Sequence, residues 1–219
     1  MKVLVVDTET TGLPEKWNPS IFSQKEKWPH IIQLSYLLYD TDINKIISCV
    51  DEIIKLDYHI PISSESIKIH GINRTTSHRK GISINKALLG FYEAFEACDI
   101  VVGHNISFDK RMIMVETNRI HDYQVLSRYW RTKKEYCTMK NSVDICKIET
   151  TNQYGKTYNK YPKLSELHKH LFKTIPNGLH DAMADVLICL RAYVMMEHSQ
   201  DICHVGCSRI KSLFKLYCE

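Results

Sequence analysis

The chain has 219 residues, of which 44% are hydrophobic and 25% are charged, and its formal net charge is +4. A chain of this length can bury a core without disulfide or metal staples, and the composition excludes a disordered or fibrous protein. The mildly basic balance permits a nucleic-acid partner without requiring one, so the distribution of charge matters more than its total.

Nothing in the sequence predicts export or membrane insertion. The opening residues MKVLVVDTET reach an acidic residue within seven positions, unlike a signal peptide, and no apolar run approaches the roughly 18–20 residues of a membrane helix. The eight scattered cysteines favour an intracellular, reducing compartment such as the cytoplasm or nucleus. Cys203, Cys207 and Cys218 could also be zinc ligands, although reduced thiols are favoured because a clean second pair of ligands is missing.

The first predicted elements are strands. Residues 2–7 form a short apolar run typical of a buried strand. Residues 30–40 and 44–56 are rich in Ile, Leu and Tyr, and the polar link between them predicts an antiparallel hairpin. A short helix is expected at 63–71, ending at Gly71.

Helix and strand alternate in the middle of the chain. Apolar residues at steps of three and four predict an amphipathic helix over 83–97, with Ser83 as its N-cap. Residues 99–104 predict another buried strand, and 106–119 the next helix.

The last third is predicted to contain one strand and three helices. Residues 142–146 are interpreted as a short strand and 147–161 as a surface loop. Helices are expected at 163–172, 181–198 and 208–217.

This order predicts an α/β fold with a mixed five-stranded sheet, an antiparallel hairpin plus parallel strands, flanked by helices. The sequence contains no internal repeat and no clear linker. We therefore expect a single domain over residues 1–200, with residues 201–219 as a short C-terminal helical extension packed on it.

Two carboxylates follow the first predicted strand. Asp7 and Glu9 lie two positions apart in VVDTETTGL, and because strand side chains alternate, both would emerge on the same face. Burying two unpaired carboxylates is costly, and a bound Mg²⁺ or Mn²⁺ would resolve the conflict because hard cations prefer oxygen ligands. Taken alone, the pattern fits equally well with Asp7 capping a turn and Glu9 exposed to solvent.

Two later segments also place carboxylates at the start of helices. In VVGHNISFD, Asp109 falls in the first turn of a helix, where it could also simply complement the helix dipole. HDAMADV contains His180 and Asp185, whose spacing turns a helix through roughly 500°, so they cannot share one helix face. We expect His180 at or just outside the helix end and Asp185 within the helix.

The segments DTETTGL, HNISFD and HDAMADV, in this order, resemble the three motifs of the DEDDh family of 3′→5′ exonucleases, in the group of the DNA polymerase III epsilon subunit and RNase T. IHGINR resembles a further segment of the epsilon-type branch, and the resemblance spans residues 3 to 197. The sister branch carries Tyr-x3-Asp in the third motif, whereas this chain has Asp181 at that tyrosine position. The resemblance implies an RNase H-like fold.

The resemblance also implies a two-metal nuclease site. Asp7, Glu9 and Asp185 would bind two Mg²⁺ or Mn²⁺ ions directly, and Asp109 would assist through a water molecule. His180 would be the general base, because imidazole, with an ordinary pKa of about 6.5, can take a proton from the attacking water. These five residues are the predicted catalytic set, and the products would be nucleoside 5′-monophosphates.

Substrate contacts are implied at seven further positions. The residues that match are Thr10, Thr11, Leu13, His70, Ile72, Asn105 and Phe108. Leu13 would wedge between the last bases and Phe108 would stack on one of them. Leu13 and Phe108 could instead be ordinary core residues, and for Phe108 that explanation is almost as good.

A basic stretch supports a nucleic-acid partner. Residues 128–173 contain 11 Lys or Arg against 4 Asp or Glu, a local balance of 11 − 4 = +7. Aromatic residues lie among them, namely Tyr129, Trp130, Tyr136, Tyr154, Tyr158 and Tyr161. The combination favours a groove for a nucleic-acid backbone with base stacking, although a solvated lysine-rich surface is the usual alternative.

The expected function is a metal-dependent 3′→5′ exonuclease acting on single-stranded or frayed 3′ ends, with DNA slightly preferred, as in proofreading or repair. An RNA-trimming exoribonuclease is the first alternative. A catalytically inactive module that binds nucleic acid or a polymerase is the second, and retention of all five catalytic positions argues against it. The 219 residues contain no polymerase segment, so a proofreading role would need a separate polymerase partner.

Overall fold

A computed structural model describes residues 1–15, 19–120 and 130–218. The main sheet has five strands in the order β3-β2-β1-β4-β5. The strands are β1 (Lys2–Thr10), β2 (Ile31–Asp40), β3 (Lys45–Ile53), β4 (Ile100–Gly103) and β5 (Lys134–Cys137). Strands β1 to β3 pair antiparallel, whereas β4 is parallel to both β1 and β5. The predicted mixed five-stranded sheet is therefore confirmed.

Helices cover both faces of this sheet. The long ones are α3 (Ile84–Ala97), α4 (Ile106–Ile120), α7 (Leu164–Phe172), α8 (Ala182–His198) and α10 (Ser208–Tyr217). The short ones are α1 (Ser64–His70), α2 (Arg74–Lys80), α5 (Thr138–Asn141), α6 (Val143–Cys146) and α9 (Ile202–Val205), with one 3₁₀ turn at Lys25–Lys27. Among the described residues, no helix is both long enough and apolar enough to cross a membrane.

Two apolar layers hold the sheet between its helices. Leu4 and Val6 of β1 pack with α3 and α4, whereas Val3 and Val5 pack on the other face with α8 and α10. All four side chains are at most 1% exposed. A strand covered on both faces reads as a continuous apolar run, which is why KVLVV is so uniform. The carboxylates that follow it lie where this covered stretch ends.

Several local predictions are confirmed by the caps. The Ser63 hydroxyl accepts the Ser66 N–H at 3.0 Å at the start of α1, and Gly71 ends that helix with a φ of +73°. The Ser83 side chain likewise accepts the Lys86 N–H at the start of α3. The serines start helices because the first N–H groups of a helix need an acceptor from outside it. Gly71 ends a helix because glycine, which has no Cβ, adopts a positive φ at little cost.

The prediction for the fifth strand was wrong. Residues 142–146 are largely the short helix α6, and the fifth strand is formed by Lys134–Cys137 instead. The pattern of Val143 and Ile145 fits a strand or one helical turn equally well. So short a run does not distinguish the two-residue period of a strand from the roughly 3.6-residue period of a helix. The predicted loop over 147–161 contains a small antiparallel hairpin of β6 (Glu149–Thr151) and β7 (Thr157–Asn159).

The final helix packs against the domain. Ile210 and Phe214 of α10 are buried in the same apolar layer as Leu187 and Val194 of α8. The division into a domain over 1–200 and an extension over 201–219 stays a prediction.

Candidate active site

Three carboxylates meet at one edge of the sheet. Asp7 and Glu9 lie near the end of β1, and Asp185 lies in the first turn of α8. One carboxylate oxygen from each lies within 4.8 Å of one from each of the others. Asp7 and Glu9 share a strand face because they are two residues apart, as predicted. Over the described part of the chain, no other group of three His, Cys, Asp or Glu residues is arranged to hold a metal ion.

Asp109 reaches this edge from α4, and its carboxylate is held by β1. Its Oδ1 accepts the Thr8 N–H at 3.0 Å and the Thr8 hydroxyl at 2.8 Å. Asp109 is 3% exposed and raises the pKa of Asp7 through charge repulsion. Thr8 thus fixes Asp109 beside the other three carboxylates. This role could not be predicted from the segment DTETT, because nothing there sets Thr8 apart from its polar neighbours.

Burial and mutual repulsion disfavour ionisation of these acids. Burial, followed by the charges of Asp109, Asp185 and Glu9, raises the pKa of Asp7 well above its ordinary range. Burial, followed by the charges of Asp185 and Asp109, raises the pKa of Glu9 to about 8. Burial raises the pKa values of Asp109 and Asp185 to about 7. A site that concentrates so much negative charge is incomplete without a cation.

The donor set fits a hard divalent cation. The Oδ1 atom of Asp185 is buried and has no hydrogen-bond partner among the described residues, whereas Oδ2 accepts the His180 N–H at 3.3 Å. Buried polar atoms are normally paired, so an unpaired carboxylate oxygen beside two further carboxylates indicates a position for a ligand ion. Clustered carboxylate oxygens are the donors that Mg²⁺ and Mn²⁺ prefer.

The raised pKa values predict how metal-free protein responds to pH. Because the folded-state pKa values exceed those of the unfolded chain, the stability that these acids contribute is complete below about pH 4. It is lost as the pH rises through about 7 to 8. We expect the melting temperature in chelator to fall between pH 5.5 and pH 8.5, and Mg²⁺ to raise it more at the higher pH, where protons no longer compete. Thermal melts at the two pH values with chelator or Mg²⁺ measure this, and an equal Mg²⁺ shift at both would contradict it.

His180 lies outside the helix that carries Asp185, as predicted. Helix α8 begins at Ala182 with Asp181 as its N-cap, and His180 occupies the preceding turn with a φ of +71°. The imidazole belongs to an exposed residue. The Asp181 side chain accepts the N–H groups of Met183 and Ala184, so the junction between turn and helix is well fixed.

The C-terminal residues hold the turn that leads to His180. The Asn177 N–H donates to the Cys218 carbonyl at 3.0 Å. Gly178 has a φ of +73°, and a Cβ added there would lie 2.1 Å from the Tyr217 carbonyl oxygen. The end of α10 therefore contacts the backbone just before the predicted general base, and the Asn-Gly pair allows this close approach.

Replacing Gly178 by Ala is therefore expected to destabilise the protein. The positive φ alone costs about 1–3 kcal/mol for a residue with a Cβ, and the contact with the Tyr217 carbonyl adds to it. In a chain of this size each kcal/mol lowers the melting temperature by about 2–4 °C. Gly155→Ala is the matched control, because Gly155 has a φ of +77° but no atom within 4 Å of an added Cβ. Equal losses of melting temperature in the two variants would show that the contact with Tyr217 contributes nothing.

A chain of hydrogen bonds connects the start of α8 to the outer strand of the sheet. Gln33 on β2 pairs with Glu9 in the sheet register, and its Oε1 accepts the Ala182 N–H at 3.5 Å. Its Nε2 donates to Asp51 on β3 at 2.8 Å. This function of Gln33 was not predicted, although a glutamine inside the apolar run HIIQLSYLL is a visible signal.

A cleft of about 540 Å³ opens beside Glu9. Four of the seven predicted substrate residues line it, namely Thr10, Leu13, His70 and Phe108. Leu13 is 82% exposed, and Phe108 is partly buried against the core. The His70 Nδ1 accepts the Ile72 N–H at 3.0 Å, which leaves the hydrogen on Nε2, and burial lowers the pKa of His70.

The other three predicted substrate residues lie elsewhere. Thr11 lines a neighbouring cleft of about 390 Å³, also bordered by Leu13, and its hydroxyl accepts the His30 N–H at 2.9 Å. Ile72 is 6% exposed and belongs to the core. Asn105 has a φ of +71° and lines neither cleft. The substrate contacts of all seven stay predictions.

The basic stretch divides into buried and exposed aromatic residues. Trp130 is 0% exposed and packs against Phe95 in a tilted arrangement, with ring centroids 4.6 Å apart, so its predicted place in a nucleic-acid groove was wrong. Tyr136 packs edge to face on Tyr193. The tyrosines available to a ligand are exposed, namely Tyr154, Tyr158 and Tyr161. Tyr129 lies outside the described residues.

The cysteines form no disulfide, so all eight are free thiols. Cys203, Cys207 and Cys218 are not brought together as a metal-binding group within the described ranges. Burial raises the pKa of Cys218 to about 12, which opposes its use as a thiolate ligand.

The sequence model of the RNase T family, described as exonuclease, matches residues 4–193. The chain therefore belongs to this exonuclease family, and the predicted resemblance to DEDDh exonucleases is confirmed. A comparison with curated proteins found no match.

Solved structures of exonuclease I have the same fold. E. coli exonuclease I in complex with a dT13 oligonucleotide superposes with a TM-score of 0.64 at 16% identity, over 90% of this chain and 42% of that one. An exonuclease I from Methylocaldum szegediense gives 0.60 at 20% identity, over 93% and 42%. The zinc ion bound form of the E. coli enzyme with single-stranded DNA gives 0.59 at 17% identity, over 90% and 41%. The likeness confirms the RNase H-like fold, and this chain spans about two fifths of the length of those chains.

Proposed function

We propose that this chain is a metal-dependent 3′→5′ exonuclease that releases nucleoside 5′-monophosphates from single-stranded or frayed 3′ ends, with DNA slightly preferred. The observation that carries the proposal is the meeting of Asp7, Glu9 and Asp185 within 4.8 Å of one another, next to a histidine held outside the helix. The single-stranded DNA bound by the related exonuclease I structures supports the substrate class.

Asp7, Glu9 and Asp185 would hold two Mg²⁺ or Mn²⁺ ions, with Asp109 acting through water. Such ions, when bound, lower the pKa of the attacking water and stabilise charge on the leaving oxygen of an in-line phosphoryl displacement. Thr8 contributes by fixing Asp109 through two hydrogen bonds.

His180 would act as the general base. In the hydrolysis, the water oxygen would form a bond to the terminal phosphorus, the bond from phosphorus to the upstream O3′ would break, and the proton of the water would pass to the His180 imidazole. The departing O3′ would take a proton from solvent, and His180 would later release its own proton to solvent. The products are a nucleoside 5′-monophosphate and a strand with a new 3′-hydroxyl. An exposed turn before α8 suits this task, because the imidazole must reach a water whose position depends on the bound strand.

The cleft beside Glu9 would receive the terminal nucleotide. Thr10 and His70 supply polar groups on its wall, and Leu13 and Phe108 supply apolar surface. Leu13 is a suitable wedge between bases because it borders both clefts and is 82% exposed. Phe108 would stack on a base. A separate polymerase partner would be needed only for a proofreading role.

The proposal is tested with 5′-labelled single-stranded DNA and RNA of one sequence, incubated with Mg²⁺ or with chelator. We expect a ladder that shortens from the 3′ end only when metal is present, with DNA cut somewhat faster. The same strands blocked with a 3′-phosphate serve as the control and should resist. Absence of a metal-dependent ladder on both strands would refute the enzyme, and faster cutting of RNA would favour the exoribonuclease alternative.

A further inference from the structure

A small hairpin, residues 149–159, contains no buried residue. Its strands β6 and β7 pair with each other and with no other strand in the described ranges. Its turn is well formed, because the Asn152 side chain accepts the N–H groups of Tyr154 and Lys156 and Gly155 supplies a φ of +77°. An isolated two-stranded hairpin is only marginally stable by itself, so this well-formed turn helps to hold the two exposed strands together.

One face of the outgoing strand combines positive charge with an aromatic ring. Strand residues alternate between faces, so Lys156, Tyr158 and Lys160 share a face at steps of roughly 6.8 Å. The pairing extends through all three, since the Asn152 N–H donates to the Lys156 carbonyl, Thr150 pairs with Tyr158, and the Lys160 N–H donates to the Ile148 carbonyl. Tyr158 is 49% exposed. Phosphates next to a stackable base are the chemical complement of this face.

The lysines on this face differ in their surroundings. Lys160 forms an ion pair with Glu166 at 2.6 Å, which anchors the base of the hairpin to α7. Lys156 has no ion pair with any described residue and is exposed. Tyr154, at the turn, is 85% exposed. The free end of the hairpin therefore carries one unneutralised cation and two exposed aromatic rings.

The base of the hairpin is attached at the same edge of the sheet as the carboxylates. The His104 Nε2–H donates to the Pro162 carbonyl at 3.0 Å, and Nδ1 accepts the Thr138 hydroxyl at 3.0 Å. Burial lowers the pKa of His104 to about 4, so the ring stays neutral and keeps this tautomer. His104 follows β4 and precedes Asp109 by five residues. Because β1 and β4 are parallel, the end of β4 lies at the same edge as the carboxylates at the end of β1.

We propose that the 149–159 hairpin binds the nucleic-acid strand upstream of the 3′ end, with Lys156 on a phosphate and Tyr158 under a base. This inference rests on the proposed exonuclease function and adds to it a preference for long strands over short ones. Long strands contact both the cleft and the hairpin, whereas very short strands contact the cleft alone. The hairpin thus selects for strands with many nucleotides still to be removed.

The test uses the variant Lys156→Glu/Tyr158→Ala on strands of two lengths. For a strand of about 20 nucleotides we expect KM to rise about tenfold or more, because a lost base stack alone corresponds to that factor. For a strand of about three nucleotides we expect kcat/KM to be unchanged. Lys45→Glu is the matched control, since it makes the same charge change at an exposed position by the opposite edge strand.

A binding measurement separates this inference from the proposed activity. In chelator, fluorescence anisotropy of a labelled single strand at several salt concentrations gives the salt dependence of Kd, and loss of one phosphate contact should reduce the slope by about 0.7. Equal slopes for Lys156→Glu and Lys45→Glu would overturn the inference, and so would an equal loss of kcat/KM on both strand lengths. Failure of the wild-type protein to cut strands of either length in Mg²⁺ would refute the exonuclease proposal while leaving the binding result interpretable.

Discussion

Replacing Asp7 by Asn is expected to lower kcat by about 10³-fold or more. Metal-assisted phosphoryl transfer draws several kcal/mol of transition-state stabilisation from the bound ions, and each 1.36 kcal/mol corresponds to a tenfold change in rate. Asp7 has one carboxylate oxygen within 4.8 Å of an oxygen of both Glu9 and Asp185, and the charges of Asp109, Asp185 and Glu9 all raise its pKa. An amide at this position cannot supply the charge that holds a divalent cation.

The same substitution should stabilise the metal-free protein at alkaline pH. Ionised Asp7 is buried among like charges, so a neutral side chain of the same shape removes an unfavourable term. Steady-state rates and thermal melts in chelator at pH 8.5 measure the two effects, with Asp57→Asn at an exposed site as the control. A wild-type rate in Asp7→Asn would refute the ligand assignment, and a large loss of melting temperature would show that Asp7 stabilises the fold instead.

Replacing His180 by Ala is expected to lower kcat by about 10²- to 10⁴-fold, the usual contribution of a positioned general base. Strand binding and metal binding should persist, because His180 contributes only its backbone N–H to Asp185, and Ala retains that group. Single-turnover rates and anisotropy with a labelled strand separate chemistry from binding. His204→Ala is the control, since its side chain is 83% exposed. An equal reduction of binding and rate in His180→Ala would assign the residue to substrate binding.

The elements that could be predicted are those whose buried apolar residues recur at the regular spacing of a strand or a helix. Strand β1 and helix α3 have clear patterns because their apolar residues enter the two layers of the core. Strand β5 was missed because it is an edge strand, paired only with β4 and largely exposed, so it needs no apolar run. Helix α2 was also missed. It is held by tertiary contacts, among them the Ser77 hydroxyl, which donates to the Ile54 carbonyl at 2.7 Å.

The catalytic positions could be predicted from the sequence because each lies in a short local motif. A strand end places Asp7 and Glu9, and the start of a helix places Asp185. Their supporting residues were not predictable in this way, since Thr8 reaches across to Asp109 over 101 positions and Tyr217 meets Gly178 only through the fold. Long-range hydrogen bonds leave no periodic pattern in a sequence.

Hydrogen bonds run from Asp51 through Gln33 to Ala182. A substitution far from the cleft can therefore disturb the helix that carries Asp185. Asp51 is exposed on strand β3 and would pass for a harmless surface residue in a survey of genetic variants. Without its carboxylate the Gln33 amide can rotate, and the first turn of α8, which carries Asp185, loses a fixed acceptor. We therefore expect substitutions on the outer strand, Asp51→Ala among them, to slow the proposed exonuclease reaction.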